Sequence, residues 1–199
     1  MKKSLKILIG FIIVISIGVL GKTLYIADKI DRNMKIEKKI EEEKETIENL
    51  FINFGEEVGM ITVDENSSFA EKVNKLEEYD KIVYLKIKNS NLSEELKSYL
   101  TKNINKIIEM IKSVGYFNIY INEAVKTSDL SYIDLAEKKL NNIGNNKIKI
   151  QTKKYCNTLR KVIIAFKNNN LSQELYEEML KDGEDLKKEF SGLSNEVLN

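Results

Sequence analysis

The sequence predicts an all-α protein, an elongated antiparallel helical bundle that follows one N-terminal transmembrane helix. Three observations predict this fold. Proline is absent from all 199 residues. Apolar residues recur mainly at steps of three and four along the chain, which is the period of an amphipathic helix. An uncharged, apolar run of 15 residues, 7–21, follows a short basic N-terminus. The elements are taken below in chain order.

The N-terminal apolar run is long enough to cross a membrane once its flanks are included. Fifteen helical residues span only about 22 Å, which is less than the ~30 Å hydrocarbon core of a bilayer. Lys6 and Lys22 can extend their ammonium groups outward, so that residues 5–26 span about 33 Å with Tyr25 near the interface. We therefore predict an uncleaved signal anchor over residues 1–26, with the lipid bilayer as a partner.

The alternative is a signal peptide that is cleaved, which would leave a secreted protein. A cleavage site needs small residues at two positions, and Val19-Leu20-Gly21 matches that pattern weakly. The compact basic tail before residue 7 favours a cytoplasmic N-terminus and an extracytoplasmic body. The predicted localisation is thus the cell membrane, with a single pass.

Residues 27–55 are predicted to form a juxtamembrane stalk helix. Apolar residues are sparse here, and the segment between Ile40 and Ile47 consists almost entirely of Glu and Lys. We expect this helix to face solvent at first, to become core-facing near Phe51, and to end at Gly55. A coiled-coil dimer seam is the other interpretation of the same pattern.

Residues 56–199 are predicted to form the helical-bundle domain. After a loop over residues 55–67, Ser67 or Ser68 is expected to cap a helix, and turns are expected at 88–92 and 127–129. Gly144 is expected to break or bend the chain, and a last helix should run from about 172 to 191. The β-branched segments 60–63, 82–85 and 147–150 favour strands locally, but we predict helix because their surroundings have helical periodicity.

The body contains a possible duplicated helical hairpin, over residues 68–111 and 147–190. KNSNLSEEL at 88–96 matches KNNNLSQEL at 167–175 in seven of nine positions, at an offset of 79 residues. This repeat predicts that Ser93 and Ser172 both cap the helix that follows the turn. Because Asn and Lys are so common in this chain, compositional bias could also produce the match.

The residues that usually carry catalysis are scarce. Histidine is absent and Cys156 is the single cysteine, which excludes an intrachain disulfide and a Cys-rich zinc site. Cys156 lies on an apolar helical stripe and is predicted to be a buried, inert thiol. Adjacent acidic pairs such as Glu56-Glu57 point about 100° apart on a helix, so we expect solvated faces rather than a catalytic pair. We predict no catalytic residues, no metal and no cofactor, and therefore no enzyme.

The charge balance indicates the type of partner. The net charge is +1 from 32 basic and 31 acidic residues, and the segment after residue 26 is slightly acidic. A slightly acidic body without an evident basic patch argues against nucleic acid. The Lys-, Ile- and Asn-rich, Arg-poor composition is typical of an AT-rich bacterial genome.

The densest aromatic cluster, residues 116–121, is the candidate functional surface. It is expected either to fill the core of a helical hairpin or to form a partner or ligand surface with Tyr116, Phe117 and Tyr120. We expect a non-enzymatic, membrane-tethered extracytoplasmic module that binds a protein or a cell-envelope partner. The alternative is a small-ligand sensor with a pocket between bundle helices.

Overall fold

All regular secondary structure that the structure describes is helical. The computed structural model describes residues 34–196; within that range 84% of the chain is helix and no strand is present. The all-α prediction is confirmed for this part of the chain, whereas the predicted membrane helix lies outside it. The helices in the described range are α1 (Met34–Glu42), α2 (Lys44–Val63), α3 (Phe69–Glu77), α4 (Tyr79–Asn89), α5 (Glu94–Asn103), α6 (Asn105–Thr127), α7 (Ser131–Asn141), α8 (Asn146–Lys167) and α9 (Gln173–Glu196).

The three β-branched segments are helical, as predicted. Residues 60–63 form the last turn of α2, residues 82–85 lie within α4, and residues 147–150 form the first turn of α8. In each segment the surrounding helix buries side chains at helical spacing, as Val83 and Ile87 do on α4. This burial outweighs the local preference for strand, which is at most about 1 kcal/mol per residue.

The prediction that the helix ends at Gly55 is wrong. Helix α2 continues through Gly55 to Val63, so the predicted loop over residues 55–67 shrinks to residues 64–68. A glycine ends a helix when its backbone turns left-handed, and within the described residues Gly144 is the only glycine with a positive φ. Gly55 instead keeps a helical backbone and is buried on the same helix as Phe51 and Phe54.

The start of α3 and the end of α7 follow the predicted chemistry. Ser68 forms a capping box with Glu71, in which each side chain accepts a hydrogen bond from the backbone N–H of the other residue. Gly144 does break the chain, with a φ of +84°. Asn145 then caps α8 by accepting a hydrogen bond from the N–H of Ile148 at 3.0 Å.

The long predicted helices are interrupted at single residues that carry no sequence signal for a break. Glu43 separates α1 from α2, Glu78 separates α3 from α4, and Ile104 separates α5 from α6. None of the three is a glycine. The dihedral angles of Glu78 and Ile104 stay in the right-handed helical region, whereas those of Glu43 do not.

Helices α2, α3 and α6 meet at Gly115. A Cβ atom on Gly115 would lie 2.7 Å from Val58 Cγ1 on α2 and 2.9 Å from Leu76 Cδ1 on α3. Real Cβ atoms do not approach other carbons this closely, so the contact needs a residue without a side chain. Further along both helices, the amide of Asn122 donates to the carbonyl oxygen of Thr62 at 3.4 Å, so α2 and α6 run parallel.

Helices α6 and α7 run antiparallel. Tyr116 contacts Lys139 near the end of α7, whereas Tyr120, one turn later on α6, contacts Tyr132 at the start of α7. Helix α8 then packs on α7, where Arg160 pairs with Asp134 and with Glu137. Helix α9 returns along α8.

The two repeated segments bury their side chains at the same aligned positions. Both members of each pair are buried; the pairs are Val83 and Val162, Leu100 and Met179, Ile107 and Leu186, and Ile111 and Phe190. The shared packing does not establish a duplication, which stays a prediction.

The turns of the two segments differ although their sequences are nearly identical. Asn169 has a left-handed backbone with a φ of 55°. Two hydrogen bonds, from Asn170 N–H to the Ala165 carbonyl and from Asn169 N–H to the Phe166 carbonyl, close a Schellman motif. The counterpart of Asn169 is Ser90, which is extended with a φ of −70°. Asparagine tolerates the left-handed region better than serine, which favours this conformation at Asn169, although Ser128 also adopts it at the end of α6.

Candidate functional site

Helix α6 carries all three predicted site residues, but it presents them on two faces. Tyr116 and Tyr120 are four residues apart and lie on one side of α6, with their rings stacked at a centroid distance of 6.4 Å. Phe117 points elsewhere and packs on Tyr155 of α8, at a centroid distance of 6.2 Å. Phe117 is 5% exposed and Tyr116 9%, so both contribute to the core, and Tyr120 is the half-buried member of the three.

Tyr132 of α7 extends the pair into a stack of three tyrosines. Its ring is 6.3 Å from that of Tyr120, with an angle of 23° between the planes. Phe69, the first residue of α3, contacts both Tyr120 and Tyr132 at 5.6 and 5.4 Å. We refer to Tyr116, Tyr120 and Tyr132 as the tyrosine stack. Together with Phe69, the tyrosine stack joins α3, α6 and α7. Each ring contact contributes about 0.5–1.5 kcal/mol beyond the burial of apolar area.

The ammonium group of Lys139 lies over Tyr116, the ring at one end of the stack. The ammonium nitrogen of Lys139 lies 4.0 Å from the centroid of the Tyr116 ring, which is a cation–π contact. Burial is the main cause that raises the pKa of Tyr116 to about 12, and the negative charge of Glu77 adds to it. Burial likewise raises the pKa of Tyr120. The hydroxyls of Tyr116 and Tyr120 therefore stay protonated at physiological pH, so they can donate hydrogen bonds but do not act as bases.

An ion pair between the buried Lys112 and the partly exposed Asp80 lies one turn before the stack on α6. Lys112 precedes Tyr116 by four residues on α6, and its ammonium nitrogen lies 2.7 Å from the Asp80 carboxylate of α4. This hydrogen bond is the main cause that lowers the pKa of Asp80. Lys112 also approaches the carbonyl oxygen of Glu77 at 3.4 Å, at the end of α3. The pair therefore fixes α6 against the α3–α4 junction, which positions Tyr116.

The stack is partly open to solvent. Tyr116 is 9% exposed, whereas Tyr120 and Tyr132 are half-buried. Leu135 and Lys139 follow Tyr132 at three and seven residues on α7, the spacing that places side chains on one helix face. Leu135 is 44% exposed, which is high for a leucine. The exposed side chain of Leu135 therefore lies on the same face of α7 as Tyr132, and the ammonium group of Lys139 lies at the edge of this surface.

The other candidate groups have structural roles. Cys156 is buried, as predicted, and burial raises the pKa of its thiol to about 12, so the reactive thiolate is not formed at neutral pH. In the loop after α2, Asp64 accepts hydrogen bonds from Ser67 and from the N–H of Asn66, and pairs with Lys75. These contacts occupy both of its carboxylate oxygens.

The acidic pairs are mostly exposed, as predicted, with one exception. Glu57 is half-buried and accepts a hydrogen bond from the Tyr79 hydroxyl at 3.1 Å. It also pairs with Lys86 of α4. This side chain therefore links α2 to α4. Across residues 34–196, His, Cys, Asp and Glu side chains form no group of three that could hold a metal ion.

No known family model, curated protein or solved structure matches the chain. Within residues 34–196, none of the helices has both the length and the apolar character needed to cross a membrane.

The aromatic pattern of the sequence predicts Tyr116 and Tyr120, but not the rest of the surface. Phe69, Tyr132 and Lys139 come from α3 and α7, and nothing in their local sequence marks them. The one available signal was the turn at 127–129, because in a hairpin the residues before and after a turn face each other. Tyr120 and Tyr132 lie on opposite sides of that turn.

Proposed function

We propose that the protein is a non-enzymatic, membrane-tethered extracytoplasmic module that binds a protein or cell-envelope partner through the tyrosine stack and Leu135. The observation that carries the proposal is the partly exposed stack itself. Tyrosine combines a large apolar ring with a polar hydroxyl and loses little conformational entropy on binding, which explains its enrichment in binding hot spots. Lys139 and Leu135 supply a charged and an apolar contact at its border.

The ring geometry favours a surface over a ligand pocket. In the stack, each ring already contacts another ring or the Lys139 ammonium group. A small ligand that inserted between the rings would have to separate these contacts. A partner that covers the stack from outside would keep them and bury the hydroxyl edges.

For the architecture, we propose an elongated antiparallel helical bundle that one N-terminal helix anchors in the membrane. Support comes from the antiparallel course of α6 and α7, and from the return of α9 along α8 after the turn at 168–172. The anchor depends on the apolar run at residues 7–21. The intact mass of the protein from cells tests it, because loss of residues 1–21 would indicate a cleaved signal peptide and a secreted body.

Copurification in mild detergent tests the binding proposal. The tagged full chain is compared with Leu135→Lys, which places a charge beside the stack, and with Leu85→Lys as a matched control. Leu85 is 57% exposed on α4, so both substitutions change an exposed helical leucine. We expect a stoichiometric partner that Leu135→Lys loses and Leu85→Lys retains.

Two results would contradict the binding proposal. Equal recovery of the partner by both variants would place the interface elsewhere. A discrete small molecule that remains with the wild-type chain but not with Leu135→Lys would favour the sensor alternative.

A further inference from the structure

The charge balance of the whole chain conceals a strongly basic segment. Residues 138–173 contain no Asp or Glu, although the full sequence has 31 acidic residues. The same 36 residues carry nine basic side chains: Lys138, Lys139, Lys147, Lys149, Lys153, Lys154, Arg160, Lys161 and Lys167. The expectation of a body without a basic patch relied on the net charge of the whole segment after residue 26, in which acidic residues elsewhere offset this basic run.

Helix α8 carries seven of these nine residues, and three of them lie together on one exposed face. Lys153 and Lys161 are exposed, and Lys149 is half-buried beside them. Two isoleucines share the face, with Ile150 exposed by 70% and Ile164 by 47%. Steps of three and four residues connect 150, 153, 157, 161 and 164, so these positions form one straight stripe about 21 Å long.

Lys149, Lys153 and Lys161 form no ion pair within the described part of the chain. Arg160 pairs with Asp134 and Glu137, and Lys154 pairs with Asp182. No acidic side chain in residues 34–196 lies within ion-pair distance of Lys149, Lys153 or Lys161, so their charge is uncompensated locally.

Helix stability does not explain these lysines. Lys147 and Lys149 lie in the first turn of α8, where the helix dipole disfavours positive charge. Helices α3, α4, α5 and α7 instead carry an acidic residue in the first turn.

We propose that the exposed face of α8 is a lipid-facing surface that rests on the anionic phospholipid headgroups of a bilayer. This inference rests on the proposed membrane tether, which keeps the body beside a bilayer at high effective concentration. Lysines around exposed apolar side chains on one helix face are typical of helices that lie at the membrane interface. Ile150 and Ile164 would enter the interface while the lysines contact phosphate groups.

The same features disfavour a nucleic acid as the occupant. Binding of single-stranded nucleic acid generally uses exposed aromatic rings for base stacking. Between Lys149 and Ile164 the one aromatic residue is Tyr155, which is buried against Phe117. Lysine is also a point charge and lacks the planar fork with which arginine recognises bases.

The test measures contact between α8 and lipid in the full chain. Cys156 is replaced by Ala, single cysteines at 150, 164 and 60 receive a fluorophore, and each chain is reconstituted into vesicles that contain headgroup-quencher lipid. Met60 is the control because it is 62% exposed on α2. The vesicles are either phosphatidylcholine alone or an equal mixture with phosphatidylglycerol.

We expect quenching at 150 and 164, but not at 60, in the anionic vesicles only. The variant with Lys149, Lys153 and Lys161 changed to Gln should reduce quenching at 150 to the level at 60. A control variant with Lys88, Lys102 and Lys126 changed to Gln should leave the quenching at position 150 unchanged. Salt at 1 M, where the Debye length is about 3 Å, should have the same effect as the first variant.

Three results would overturn the inference: equal quenching at 150 and 60, quenching that survives loss of the three α8 lysines, or binding of single-stranded DNA without quenching in vesicles. A fluorophore at Ile13, quenched by lipid labelled in the acyl chain, tests the tether separately. If the fluorophore at position 13 is not quenched, the proposed membrane tether is wrong. Quenching at positions 150 and 164 is then still compared with quenching at position 60, and that comparison decides the inference about α8.

Discussion

The carboxylate of Glu43 accepts a hydrogen bond from the backbone N–H of Ser93, with 2.8 Å between Glu43 Oε2 and Ser93 N. Glu43 is the residue that separates α1 from α2, and Ser93 is the residue before α5. Lys39 of α1 also pairs with Glu95 in the first turn of α5, at 2.6 Å. The start of α5 is thus held by side chains that lie 50 and 56 residues earlier in the chain.

One of the two predicted serine caps is wrong. Ser172 caps α9 as predicted, since its Oγ accepts a hydrogen bond from the N–H of Leu175 at 3.2 Å. Ser93 has the backbone conformation of a cap but makes no capping hydrogen bond with its side chain, and its buried Oγ has no partner in the described part of the chain.

We expect Ser172→Ala to lower the free energy of unfolding by about 1 kcal/mol, because a backbone N–H loses its acceptor. Ser93→Ala should change it by less than about 0.5 kcal/mol, since the hydroxyl that it removes makes no hydrogen bond. Urea unfolding of the full chain in detergent, followed by circular dichroism, measures both. Equal losses for the two variants would show that Ser93 is a cap after all.

Glu43→Ala should destabilise the protein by about 1.5–3 kcal/mol, the range for a hydrogen bond to a charged group. Glu43→Gln is the matched control, because it keeps an acceptor oxygen and should lose less. Glu42→Ala provides a second comparison at an exposed neighbour whose pairing with Lys38 is at the surface. Equal and small losses of unfolding free energy in all three variants would show that the hydrogen bond from Ser93 to Glu43 does not stabilise the start of α5.

Gly115→Ala should destabilise the fold by about 1–3 kcal/mol, because the added methyl group overlaps Val58 and Leu76. Val58→Ala removes the nearer obstacle, so the double variant should be less destabilised than the sum of the two single variants. Chemical unfolding of the three variants gives the coupling energy. Strict additivity would contradict the close approach of α2 and α6.

The loop after α2 should make stability depend on acid pH. Hydrogen bonds from Ser67 and from the N–H of Asn66 lower the pKa of Asp64 from 3.8 to about 2. A carboxyl group whose pKa is lower in the folded state stabilises the fold above pH 3.8, and this contribution is lost as the pH falls toward 2. The midpoint of thermal unfolding should therefore fall less between pH 4 and pH 2 in Asp64→Asn than in the wild type.

How much of this molecule the sequence could predict depends on how local each feature is. The helices, the Ser68 cap and the break at Gly144 depend on neighbouring residues, and they were predicted. The continuation through Gly55 was not, because burial on α2 decides it. For the same reason, the pairing of Tyr116 with Tyr120 follows from their spacing on one helix, whereas Tyr132 joins them only through the packing of α7 on α6.

The measurement that tests the central claim most directly is thiol labelling of intact bacterial cells. Cys156 is replaced by Ala and Asn66 by Cys, because Asn66 lies exposed in the loop between α2 and α3. If the body is extracytoplasmic and tethered, a membrane-impermeant thiol reagent should label position 66 in intact cells, and the labelled chain should sediment with the membranes. Labelling only after the cells are broken would contradict the claim.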